Sequence, residues 1–181
     1  KLLDNVEKKI LNTEKLKKFY PLHDALDTFL YTTNKKTEHA PYVRDAIDLK
    51  RTMILVVLAL LPAFFFGTYN VGLQSPEVID KDFLTCFLYG LKILLPMYLI
   101  VFSIGGLFEA IFAVVRGHEI NEGFLVTGFL IPLTMPPTVP LWILAIATIF
   151  GIVVGKEIFG GTGYNIFNPA LTTRAFLFFA Y

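Results

Sequence analysis

Two stretches of this sequence hold residue types whose spacing could do chemistry. The first is Gly105-Gly106 followed by Glu109, and the second is Gly160-Gly161-Thr162-Gly163-Tyr164-Asn165-Ile166-Phe167-Asn168-Pro169. Glu109 is the only charged residue between Lys92 and Arg116, and an ionisable group inside an apolar run marks a functional position by default. Such a carboxylate could supply a proton or bind a cation transiently. Arg116 lies seven residues on, hence on the same helical face, and is its expected partner. The two glycines allow close approach of a second helix or of a planar ligand. A glycine packing seam with an ion pair at the membrane boundary accounts for the same residues equally well.

In the second stretch, Asn168-Pro169 reads as the N-cap and first residue of a helix. The positive end of that helix would then face whatever fills the loop, favouring an anionic or electron-rich ring. Asn165, Asn168, Gly161 and Thr162 are the candidate contacts. The plainer alternative is a capped turn joining two spans.

Several other motifs fail on inspection. His118-Glu119-Ile120-Asn121-Glu122 starts like a zinc-protease helix, but Glu122 stands where the second histidine is needed. Gly160-Gly161-Thr162-Gly163 lacks the Lys-Ser/Thr of a phosphate loop. Histidines at 23, 39 and 118 are too dispersed for a local metal or haem site, and no metal site is expected. The single cysteine, Cys86, can form neither an internal disulfide nor an iron–sulfur cluster. Glu119 and Glu122 instead suit the N-terminal end of a helix starting at Gly123.

The elements that must position these residues follow from composition. The 181 residues are 55% hydrophobic and 17% charged, against about 25% charged in soluble domains. Of 16 Lys+Arg, 11 fall in residues 1–51, leaving 16 − 11 = 5 for the rest. A polar first segment, 1–51, therefore precedes a lipid-grade segment, 52–181. That excludes a soluble enzyme domain and a disordered chain, and a net charge of +1 gives no reason to expect a nucleic-acid partner. Within 2–18, Leu3, Val6 and Ile10 form a stripe among lysines, as in a helix lying on a membrane or against a neighbouring protein. Pro21 can start a second short helix carrying Leu22, Leu26, Phe29 and Leu30, and residues 32–42 read as loop.

Thr52 to Tyr69 is an uncharged run of about 27 Å as helix, enough to span with Pro62 tolerated inside it. Residues 70–82 read as a polar loop. Leu88–Val115 forms the second span, with a kink expected at Pro96 and Lys92 snorkelling toward that loop. Gly123–Met135 is too short to cross before Pro136, Pro137 and Pro140. Leu141–Phe159 can cross if Lys156 and Glu157 lie near its end. Ala170–Tyr181 begins a further apolar helix, within which the sequence stops, so a longer native chain is expected. Basic residues in 1–51, at Arg116 and at Lys156 would all lie on a cytoplasmic side, turning 70–82 and 136–140 outward. The fold class is all-α: a polytopic membrane helical bundle with short, interrupted helices and a cytoplasmic amphipathic N-terminal segment. Short hydrophobic segments are the best pointer to a buried site in such a protein.

Three segments carry a resemblance: Val43-Arg44-Asp45-Ala46-Ile47-Asp48-Leu49-Lys50-Arg51, Gly117-His118-Glu119-Ile120-Asn121-Glu122-Gly123-Phe124, and the run from Gly160 to Ala170. Together they resemble the NqrB subunits of the Na+-translocating NADH:quinone oxidoreductases, from about Tyr20 onward. The glycine-amide run is shared with the RnfD subunits of the Rnf complexes, while the Val-Arg-Asp segment and the basic N-terminus favour the quinone reductases. The resemblance implies a respiratory subunit of a bacterial inner membrane, working with other subunits, the lipid bilayer, a quinone and Na+. It implies covalent FMN on a threonine, noncovalent riboflavin, and electron transfer to ubiquinone coupled to sodium movement. Gly105, Gly106 and Glu109 match the family's quinone-binding stretch, with Glu109 in the catalytic role. Asn165, Asn168, Gly161 and Thr162 are the chosen riboflavin contacts.

Two departures stand out. The Ser-x-Ala-Thr context of the FMN-bearing threonine does not occur here, so that residue is expected beyond Tyr181, and the 70–82 loop is shorter than the family's usual connection. Three other readings use the same features: an Rnf-type electron-transfer subunit, a passive small-solute channel or transporter, and a scaffold subunit with no site of its own.

Overall fold

A computed structural model describes residues 49–79, 81–116 and 123–181. The expected surface helix, the short helix after Pro21, the 32–42 loop and the capping role of Glu119 and Glu122 lie outside the described residues. Five helices make up the rest: α1 (Leu49–Gln74), α2 (Phe83–Arg116), α3 (Gly123–Thr134), α4 (Leu141–Val153) and α5 (Pro169–Ala180), with a 3₁₀ turn at Glu157–Phe159 after α4. No strand occurs among the described residues. Among the described residues, three segments are long and apolar enough to cross a membrane: Thr52–Gln74, Phe83–Arg116 and Leu141–Phe159. The chain is a multi-pass membrane protein.

α1 and α2 form an antiparallel pair pinned by glycines. Gly72 lies against the backbone of Cys86, and Gly90 against the backbone of Thr68. A Cβ at either position would strike main chain, so the two helices touch at the closest approach helices can reach. Phe64 packs edge-on against Tyr98, with ring centroids 5.4 Å apart. By this register Thr52, where the apolar run of α1 begins, is level with the part of α2 just beyond Gly105. Both helices run through an internal proline, Pro62 and Pro96. α1 continues five residues past the expected Tyr69, to Gln74. The connection is held by Lys81, whose Nζ donates to the carbonyls of Leu73 (2.5 Å) and Ser75 (3.2 Å). Those carbonyls belong to the end of α1, where a cation is favoured.

α3 and α4 build a hairpin that enters and leaves at one end of the bundle. α3 has 12 residues, about 18 Å at 1.5 Å per residue, against a hydrocarbon core of about 30 Å. It runs antiparallel to α2: Phe124 lies against Gly105, Gly128 against Phe102, and the Phe129 carbonyl accepts from the Tyr98 hydroxyl at 3.3 Å. α4 then returns parallel to α2, with Ile152 at Gly105 and Lys156 at Glu109. The tip, residues 135–140, packs through Met135 and Val139 beside Leu94, Met97 and Tyr98. Phe83–Ile93 of α2 extends past it, about 16 Å of helix. Hydrophobic periodicity reports which face of a helix is buried and carries no information on depth. Pro136, Pro137 and Pro140 suit this position because each removes an N–H donor that lipid could not satisfy.

α5 packs antiparallel on α4, closed by small residues. Gly151 meets Thr173 and Gly155 meets Thr172, while Phe150 stacks on Phe176 at 4.4 Å. Thr173 is fully buried and donates to the Pro169 carbonyl at 2.8 Å. The core common to α2–α5 centres on Met97, Val101, Ile131, Leu144 and Ala147.

Candidate functional site

The end of the bundle where α2 finishes, α3 starts and α4 exits is the polar one. Glu109 projects from α2 into the protein and is 5% exposed. Its partner is Lys156: Nζ to Oε1 is 2.6 Å, and both side chains are buried. Arg116, the expected partner, turns elsewhere. Its guanidinium donates to the Glu157 backbone carbonyl, stands 3.5 Å from the Glu157 carboxylate, and packs over the Phe112 ring at 5.3 Å. A seven-residue spacing identifies neighbours on one helix only. The decisive partner sits 47 residues away, in the turn just past the end of the parallel helix α4.

Lys156 also approaches Glu157, 3.9 Å from Oε1. Two acids and two bases thus alternate as Glu109, Lys156, Glu157 and Arg116, joining the last turns of α2 to the exit of α4. Charges removed from water require such pairing. The pairing is incomplete, however: Glu109 Oε2 is buried without a hydrogen-bond partner among the described residues. One carboxylate oxygen is clamped and the other is a bare acceptor facing protein.

The glycine-amide run starts directly behind this cluster. Gly160, Gly161 and Gly163 have φ of 123°, 93° and 93°, a region costly for side-chain-bearing residues. The turn folds back on Lys156, whose carbonyl accepts from the amides of Phe159 and Gly161, each at 3.2 Å. Gly161 is buried beside the Glu157 carboxylate: a Cβ there would lie 3.9 Å from both oxygens. Thr162 leans on Gly123, and its Oγ1 is the second buried oxygen here with no partner among the described residues.

The two asparagines hold the loop's shape. Asn165 Oδ1 accepts from the Gly163 amide (3.2 Å) and its Nδ2 donates to the Phe167 carbonyl (2.9 Å). Asn168 is the N-cap of α5, accepting from the amides of Ala170 (2.9 Å) and Leu171 (3.4 Å), with Pro169 at the first helical position. This is the cap that the Asn-Pro pair predicts. Both Oδ1 atoms are occupied by backbone, so a polar ligand would find Thr162 Oγ1 before either asparagine oxygen.

Gly105 and Gly106 differ in their surroundings. A Cβ on Gly105 would come within 2.6 Å of Ile152 Cδ1 and 2.7 Å of Phe124 Cε2, whereas Gly106 has only the Phe124 ring, at 3.5 Å. The flat ring that approaches the Gly105 backbone is the chain's own Phe124. Sequence reasoning missed Phe124 and Lys156 as parts of this site. A buried carboxylate demands a cation, and Lys156, at the matching end of the next apolar segment, was the available signal.

Comparison with known proteins gives the family of the chain. The model of the NQR2, RnfD, RnfE family matches residues 36–181, which takes in all of the helices above. The chain belongs to the NQR2, RnfD, RnfE family. Among similar curated proteins of the family is the NqrB subunit of the Na(+)-translocating NADH-quinone reductase of Pseudomonas paraeruginosa. It is 47% identical over 205 residues, covering 99% of this chain and 51% of the relative. Proteins of the same name from Klebsiella pneumoniae subsp. pneumoniae (45% over 211 residues, 51% of the relative) and Chromohalobacter salexigens (46% over 202 residues, 49% of the relative) match 99% of the chain. The chain spans about half the length of these family members. The alignment to the first is at least 205 − 181 = 24 positions longer than the chain, so that relative carries residues this one lacks.

Proposed function

We propose that this chain works as part of the membrane subunit of a Na+-translocating NADH:quinone reductase. In this reading it sits in a bacterial inner membrane with its N-terminus and polar end cytoplasmic. It passes electrons by way of flavins to ubiquinone while sodium crosses, alongside the other subunits of the complex. The names of relatives 45–47% identical over nearly the whole chain favour this over an Rnf-type subunit, although one family model covers both.

The observation that carries the site is the pair of bare buried oxygens, Glu109 Oε2 and Thr162 Oγ1, at the polar end. Buried acceptors without partners are costly, and a native structure retains few of them without a ligand, water or role to match. Thr162 Oγ1 is the atom that would hold a noncovalent riboflavin, since the amide and carbonyl of Gly161 are both bonded within the turn, with Asn165 and Asn168 shaping the turn that presents it. Flavin, when bound, supplies the electron-transfer chemistry; the chain binds, orients and excludes water. No residue of 1–181 is proposed to carry FMN.

On the α2 side, Gly106 and Glu109 would receive the quinone headgroup, with the Gly105 backbone reached only if the Phe124 ring rotates away. The bare Oε2 is suited to accept a hydrogen bond from the quinol hydroxyl, or to hold a proton or Na+ in transit. Two substitutions in the purified complex separate these assignments. Thr162→Val should strip noncovalent riboflavin, read by fluorescence of the acid-extracted flavin. Glu109→Gln should slow quinone reduction and leave flavin content unchanged. Normal riboflavin in the first variant removes Thr162 from the flavin site; normal turnover and quinone KM in the second remove Glu109 from the quinone site.

A further inference from the structure

Lys156 touches both halves of the polar end, through different atoms. Its ammonium holds Glu109 Oε1 at 2.6 Å, and its backbone carbonyl receives the Gly161 amide at 3.2 Å. Next in sequence, Glu157 ties the same turn to Arg116 at the end of α2. The Lys156 side chain is 3% exposed, and its charge faces Glu109 at 2.6 Å and Glu157 at 3.9 Å.

Stability alone is a weak reason for such a pair. A buried ion pair seldom outperforms well-packed apolar residues of equal volume, because two desolvation costs offset the attraction. A fixed geometry is what it supplies. With Oε1 clamped, Oε2 points in one direction, and the clamp is built on the same residue that starts the glycine turn carrying Gly161 and Thr162.

We infer that Lys156 is a positioning residue that aims Glu109 and locks its orientation to the glycine turn, making the Glu109 and Thr162 sites one mechanical unit. This rests on the proposed quinone role of Glu109. The consequence concerns binding more than chemistry: a freed carboxylate still accepts a hydrogen bond but no longer does so from a fixed place. Arg at 156 keeps a cation within reach of Glu109, whereas Met keeps the length of the stem and removes the charge.

The test uses the whole purified complex, with ubiquinone-1 as the electron acceptor and flavin content measured in parallel. Lys156→Met should raise quinone KM about fivefold or more with a smaller change in kcat, as expected when a binding orientation is lost. Lys156→Arg should recover most of that loss, and riboflavin content should hold in both. Should Lys156→Met fail to assemble, the neutral pair Glu109→Gln with Lys156→Met replaces it. That double variant should match Glu109→Gln alone, because the lysine acts only through the carboxylate. A Lys156→Met complex with KM within about twofold of the parent, or a double variant whose KM rises beyond that of Glu109→Gln, overturns the inference. If Glu109→Gln itself leaves KM unchanged, the quinone role of Glu109 fails, and the inference falls with it for that separate reason.

Discussion

At the two ends of the bundle, glycine is used for opposite purposes. Where α1 meets α2, Gly72 and Gly90 bring main chain against main chain, and the contact involves no charge. At the polar end, Gly105 and Gly123 receive side chains instead: Phe124 and Ile152 fill the first, Thr162 the second. Around them stand four alternating charges and two oxygens without partners. The first arrangement has no slack, because backbone cannot move aside without unmaking a helix. The second does, because rings and hydroxyls rotate. A site that admits ligands belongs at the end whose close contacts can open.

That contrast can be broken experimentally, starting at the rigid seam. Gly90→Val should prevent assembly, since the added carbons meet the Thr68 backbone and no rotamer relieves the clash. Recovery of the complex at normal yield and thermal midpoint would show the seam to be as adaptable as the polar end. Gly105→Ala should be milder, because its neighbours are the ends of side chains. About 1–3 kcal/mol is the usual cost of overpacking, seen as a lowered midpoint in a complex that still forms. Trimming the ring with Phe124→Leu in the same chain should restore most of it; no restoration would mean that Ile152 rather than Phe124 sets the limit. The smallest effect is expected at the loop. Asn168→Ala should cost about 1 kcal/mol through the lost cap, while Asn168→Asp, which still caps, should stay close to the parent. A loss of riboflavin in the Asp variant as well would indicate a direct contact by the amide group.

The sequence made some of this readable and hid the rest for physical reasons. Uncharged runs located α1 and α2, and the prolines after Met135 revealed a helix too short to cross. Asn168-Pro169 marked the start of α5, because capping chemistry is local and lies within three residues. Hydrophobic pattern did not convey that α1 persists to Gln74, since Asn70, Gly72 and Gln74 interrupt the apolar run there and its end is held by Lys81 from across the connection. The Glu109–Lys156 pair depends on two helices running parallel in one register, a tertiary fact that no spacing along a single helix contains. By position alone Lys156 looks like a marker of the membrane boundary; burial turns it into a structural cation.

The short hairpin also constrains how the protein can be made. A 12-residue apolar segment offers an insertion machinery too little greasy length to be laterally released as a span of its own. α3 must therefore enter together with the longer Leu141–Phe159 segment, against an α2 already in place, so α1 and α2 enter first during synthesis. A topology reporter fused after Arg116 and another fused after Gly160 should then report the same compartment. Opposite compartments would mean that the nascent chain first threads through and later retracts.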